Sequence, residues 1–251
     1  MTIHVETHGA GAEAVVLLHG LPSDVGWARS LTPALSAKYR VLIPHLPGYG
    51  QTPPRAPYDW EQVREELATT LSAHGASRAA LVGFSGGAWR ALELAASGGL
   101  APRAVVALGG LASLTTPERD GFRQFATALR AGADLRPLAG PRFLARRLND
   151  PAAVAEVQGW LSAAPASAMA DELEAIALEP DLEPTLSTLS CPVLARTGTA
   201  DVACPPDKAR AIAVACRHAT LELVEGAAHA LMLEDEQPTV ASVMGFLAAV
   251  P

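Results

Sequence analysis

The stretch Gly83-Phe84-Ser85-Gly86-Gly87 sets one serine between glycines, where an apolar run gives way to a helix-like pattern. A serine hydroxyl is a weak nucleophile without a base, and the base needs an acid to orient it. Downstream the chain offers both residue types in turn-forming surroundings. Asp201 lies in Thr-Gly-Thr-Ala-Asp-Val-Ala-Cys-Pro-Pro and His229 in Gly-Ala-Ala-His-Ala-Leu. Attack on a carbonyl also needs donors for the developing oxyanion. The backbone N–H of Gly86, directly after the serine, supplies one. Leu21 in His-Gly-Leu-Pro (19–22) supplies the other, with Pro22 fixing the turn that follows. Together these residue types describe acyl transfer through Ser85, Asp201 and His229.

Rival assignments are weaker. Asp201 stands several residues before Pro205, too early to be simply the cap of the next helix. Glu234 follows the histidine and adjoins Asp235 and Glu236, which suits a structural or surface role. His19 comes before the serine. Cys191, Cys204 and Cys216 are odd in number and match no metal-ligand spacing, so they read as free thiols. Cys204 lies close to Asp201, but nothing in the sequence sets it beside a base. Trp89 and Trp160 are candidate aromatic walls for a substrate pocket.

The elements that must position these groups follow from patterning. Apolar runs at 14–20, 39–45, 78–84, 102–110, 191–198 and 219–226 read as buried strands. Helical spacing marks 59–75, where Asp59 is a candidate N-cap with Gln62 three residues on, and also 85–97, 206–215 and 238–249. Continuous apolar strands alternating with helices imply an α/β fold, with a mostly parallel sheet covered on both faces. Asp201 and His229 then follow the carboxyl ends of strands, at the edge where the Ser85 turn opens. Glycines around that serine permit a strained turn that thrusts a side chain outward at a helix N-terminus. Between about 112 and 188 strand-like runs vanish and short helical patterns take over. The expected layout is a core of 1–111 and 189–251 with a helical cap inserted at 112–188. Cap charges are split: seven arginines and three acids lie from Glu118 to Arg147, then eight acids and no basic residue from Leu148 to Leu186.

Taken together, His-Gly-Leu-Pro at 19–22, Leu-Pro-Gly-Tyr-Gly at 46–50, the 83–87 elbow, and the segments around Asp201 and His229 resemble the α/β-hydrolase fold family. The similarity runs over nearly the whole chain and favours cap-bearing serine hydrolases of the 3-oxoadipate enol-lactonase-like and carboxylesterase-like kinds. It implies the chain order Ser, Asp, His for the catalytic groups. It also implies a small-molecule ester or lactone as substrate, and chemistry with no cofactor or metal. Two positions depart from the family pattern: His45 replaces the usual Asp before the Leu-Pro-Gly-Tyr-Gly turn, and Gly86 replaces a frequent Met.

Composition narrows the classes further. A formal charge of −7 with no basic–aromatic cluster argues against nucleic acid or anionic membrane as partner. No apolar run approaches the roughly 18–20 residues that span a bilayer. The N-terminus lacks a leader pattern, so a cytoplasmic location is expected. Dehalogenase and epoxide hydrolase chemistry would need Asp where Ser85 stands. Alternatives within the same fold are hydrolysis of a carrier-protein-linked methyl ester or thioester, carbon–carbon bond hydrolysis, and non-catalytic ligand capture under the cap.

Overall fold

The computed structural model describes residues 3–21, 25–163 and 165–250. Pro22, expected to fix the turn after Leu21, lies outside them. Among the described residues seven strands form one sheet in the order β1-β3-β2-β4-β5-β6-β7. They are β1 (Val5–His8), β2 (Ala14–Leu18), β3 (Arg40–Pro44), β4 (Ala80–Phe84), β5 (Ala104–Leu108), β6 (Val193–Gly198) and β7 (Ala219–Val224). β1 runs antiparallel to β3 with Val5 opposite Pro44. The remaining pairs are parallel.

Every residue of β2, β4 and β5 is buried. Their alternate side chains enter two separate cores, since successive Cβ atoms point to opposite faces of a sheet. Val16, Leu18 and Leu81 enter one core, while Val15, Leu17 and Val82 enter the other. Burying each such Val or Leu contributes about 1.5–3 kcal/mol, which makes a strand without polar alternation the favoured solution here.

Helices cover both faces. α2 (Trp60–Ala73), α3 (Gly86–Ala96) and α8 (Pro206–Ala215) supply Val63, Leu92 and Ile212 to the first core. α1 (Leu31–Ser36), the short α9 (Leu231–Glu234) and α10 (Glu236–Ala249) supply Leu31, Leu35, Leu231, Val243 and Leu247 to the second. Asp59 caps α2, its carboxylate accepting from the Glu61 and Gln62 N–H groups at 3.0 and 3.4 Å. No helix among the described residues is long and apolar enough to cross a membrane.

The chain between β5 and β6 is helical: α4 (Thr116–Arg130), α5 (Pro151–Ala163), α6 (Ala166–Leu178) and the short α7 (Glu183–Leu186), with a 3-10 turn at Arg136–Ala139. α4 starts with a reciprocal cap in which Thr115 and Glu118 satisfy each other's backbone N–H. It packs along α6, and there the two charge blocks meet. Arg130 donates to Asp171 at 2.7 Å and to Glu174 at 2.9 Å. Arg119, also on α4, donates to Asp181 at 2.6 Å.

Candidate active site

β4 ends at Phe84 and α3 begins at Gly86, leaving a single residue to reverse the chain. That residue, Ser85, has φ +55°, the one positive φ at a non-glycine among the described residues. A conformation of this kind costs about 1–3 kcal/mol and persists only where the surroundings enforce it. Here they do. The Ser85 N–H donates to the Leu108 carbonyl at 2.9 Å. A Cβ on Gly83 would collide with the Gly87 carbonyl, and one on Gly87 with the carbonyls of Leu18 and His19. The glycines therefore allow the elbow to press against β2.

The loop after β2 comes back over this elbow. A Cβ built on Gly86 would lie 3.5 Å from the Leu21 nitrogen and 3.2 Å from its Cγ. The two backbone groups expected to hold an oxyanion are thus neighbours beside Ser85.

From the ends of β6 and β7 come Asp201 and His229, both buried. The His229 Nδ1–H donates to Asp201 Oδ2 at 2.7 Å. Asp201 Oδ1 accepts the Ala203 and Cys204 N–H groups, each at 2.8 Å, and Thr197 donates to Oδ2 at 3.3 Å. With its lone pairs so occupied the carboxylate is fixed in one orientation, and through it the imidazole. Gly109 leaves the room for this pair: a Cβ there would approach His229 Nδ1 to 3.1 Å and Asp201 Oδ2 to 3.4 Å.

Ser85, Gly86, Leu21 and His229 share one cavity of about 370 Å³, roofed by side chains of α4 and α6 such as Phe122, Phe125, Leu173 and Ile176. Trp89 and Trp160 are not among its walls. Trp89 is fully buried, and its indole N–H donates to Glu179 at 2.9 Å; Trp160 packs in the first core. Both lie on buried helix faces outside the cavity.

Sequence reasoning undervalued three residues. Cys204 lines the same cavity as Ser85. Burial, followed by the nearby Asp201 carboxylate, pushes that thiol well above the ordinary cysteine range. It is a neutral wall. We expect iodoacetamide at pH 8 to alkylate it at least about 100-fold more slowly than a free cysteine, read by mass spectrometry of its peptide. Rapid labelling would reveal a thiolate and a competing nucleophile.

Glu234 is buried and accepts the N–H groups of Ala228, of Ala145 at 2.6 Å and of Arg147 at 2.9 Å. It thereby ties the His229 loop to the 140–147 segment, which only the folded chain brings near. His45 resolves the departure from the family pattern. Its Nδ1 accepts the Gln51 N–H at 3.0 Å and its Nε2–H donates to Glu6 at 2.8 Å. One imidazole so satisfies the turn N–H and an acid on β1. His19 packs on Tyr49, with ring centroids 4.2 Å apart, and burial lowers its pKa to about 4, keeping it neutral.

A serine on a strained strand–helix turn, with a buried Asp–His pair at the same sheet edge, defines the class to which the chain can be assigned. Residues 15–242 match the model of the alpha/beta hydrolase family, and the chain belongs to that family. It is 29% identical to a pimeloyl-[acyl-carrier protein] methyl ester esterase of Edwardsiella ictaluri, over 96% of this chain and 95% of that one. It is 31% identical over 95% of its length to part of the polyketide synthase ThaQ of Burkholderia thailandensis, spanning only 12% of that protein. Among solved structures, the enol-lactonase of Burkholderia xenovorans LB400 superposes with a TM-score of 0.87 at 25% identity, covering 98% of this chain and 96% of the other.

Proposed function

We propose that this chain hydrolyses a carboxylic ester or lactone through an acyl-enzyme on Ser85, with 112–188 acting as the cap that shapes the substrate site. The observation that carries the proposal is the 2.7 Å His229–Asp201 contact facing the same cavity as Ser85. In the reaction His229 Nε2 takes the Ser85 proton as Oγ attacks the carbonyl carbon. Asp201 holds the imidazole in the required tautomer and stabilises the imidazolium. The oxyanion rests on the Leu21 and Gly86 N–H groups, at the start of α3 where the helix dipole favours negative charge. The tetrahedral adduct collapses as His229 protonates the leaving oxygen. Water, deprotonated by the same histidine, then releases the acid.

An apolar cavity lining favours an acyl chain over a sugar or nucleotide. The Edwardsiella relative, a methyl ester esterase, raises a carrier-linked methyl ester as a second reading. Against a docking face for an acidic carrier stands the internal pairing of cap arginines.

The test is incubation with p-nitrophenyl butyrate. A burst of nitrophenol matching the enzyme concentration, and a butyryl adduct on the Ser85 peptide, are expected. Folded protein that gives neither turnover nor adduct would remove the acyl-enzyme reading and bring ligand capture to the front.

A further inference from the structure

Within the cap, Arg119, Arg123, Arg130, Arg136, Arg146 and Arg147 each reach an acidic side chain. Arg142 alone among the described cap arginines has no hydrogen bond or ion pair, and it lines the cavity that holds Ser85 and His229. The other cation in that wall, Lys208, is already neutralised: its ammonium donates to Glu118 at 2.7 Å and to the Ser113 carbonyl at 3.0 Å. One guanidinium is therefore left uncompensated at the site.

Its backbone is held in place. The neighbouring Phe143 carbonyl accepts the Ala230 N–H at 2.9 Å. The Phe143 ring packs edge-on to His229 with centroids 5.4 Å apart. Two residues further, the Ala145 N–H is tied to Glu234. The side chain itself is exposed, and its charge is felt at Cys204 beside the nucleophile. A planar guanidinium on an anchored strand of chain matches a carboxylate bidentately. With no second free cation among the described residues of the wall, a single carboxylate fits better than a doubly charged phosphate.

We propose that Arg142 is a specificity-determining residue that binds a carboxylate carried by the substrate, making the preferred substrate a half-ester or a carboxylate-bearing lactone with an apolar spacer. This rests on the ester-hydrolase reading above and adds the identity of the group at the far end of the acyl chain.

The test compares monomethyl adipate with methyl hexanoate, esters of equal chain length that differ in one terminal carboxylate. The ratio of their kcat/KM values is measured in the wild type, in Arg142→Gln and in Arg136→Gln, which removes the same charge from an exposed cap site. Arg142→Gln is expected to lower the ratio about tenfold, chiefly through KM for the anionic ester, while Arg136→Gln leaves the ratio in place. An unchanged ratio in Arg142→Gln, or an equal fall in both variants, would overturn the proposal. Calorimetric binding of adipate gives a readout independent of turnover. If neither ester is hydrolysed the hydrolase reading fails by itself. Adipate binding abolished by Arg142→Gln would still support the anion site, and absence of binding to the wild type would dismiss it.

Discussion

Ser85→Ala is expected to lower kcat for any ester substrate by at least about 10⁴-fold while leaving the fold intact, because in the proposed mechanism removing the nucleophile disables the other two groups as well. The residual rate would come from the oxyanion donors and from substrate binding alone. Alanine keeps the Cβ, so the strain at φ +55° remains and the melting temperature should hardly move. Ser85→Gly should separate the two effects. It removes both the hydroxyl and the steric cost of the left-handed conformation, so the protein should be equally inactive yet about 1 kcal/mol more stable in denaturant titration. Retention of more than a tenth of wild-type activity in Ser85→Ala would show that the acyl group passes elsewhere. A stability loss in Ser85→Gly would show that the elbow is not strained in the native state.

The elbow was legible because its demands are local. Gly83, Gly87 and the change from strand to helix patterning are adjacent in sequence, and each is there for a backbone reason. Asp201 and His229 could be paired because both follow strands whose apolar runs announce a parallel sheet, which brings their carboxyl ends to one edge. β1 was missed because Val5–His8 is a half-buried edge strand, made by its antiparallel pairing to β3 more than by its own residues. α1 was missed because Leu31–Ser36 is short and carries Pro33. Least legible was the environment of α3. Arg90 and Glu93 interrupt an apolar face and would ordinarily mark a solvated side, yet both are buried. Their partners lie on chain segments that only tertiary packing brings together. The same applies to the unpaired state of Arg142, since pairing is a property of neighbours and not of spacing.

Arg90 makes the strongest stability prediction. Its Nη1 donates to both Glu179 oxygens at 2.8 and 2.7 Å and to Glu93 at 3.2 Å. Its Nε lies 3.8 Å from Glu172, and the guanidinium stacks 3.6 Å above the Trp60 ring. Tyr58 donates to Glu172 at 2.9 Å and Trp60 to Glu93 at 2.5 Å; Arg64 reaches Glu93 from the rim at 3.5 Å. This cluster joins α2 and α3 of the sheet layer to α6 and the chain after it, so it fastens the helical block over the cavity. One central cation serves three carboxylates. Replacing it by Met would leave them without that counter-charge, at a cost of about 3–5 kcal/mol, or roughly 10 °C in melting temperature for a chain of this size. The loss should depend on pH. Burial, opposed by Arg90, already raises Glu93 and Glu172 above the ordinary carboxylate range. A carboxyl raised in the fold contributes stability that is full below its unfolded value and is lost as pH rises through the native one. Without Arg90 both rise further, so Arg90→Met should be more damaging at pH 8 than at pH 5, the reverse of an acid-labile ion pair. Adding Glu172→Gln, which can still accept from Tyr58, should restore part of the loss at pH 8 and little at pH 5. A penalty that is the same at both pH values would mean that the three glutamates are solvated and that packing alone holds the helical block to the sheet.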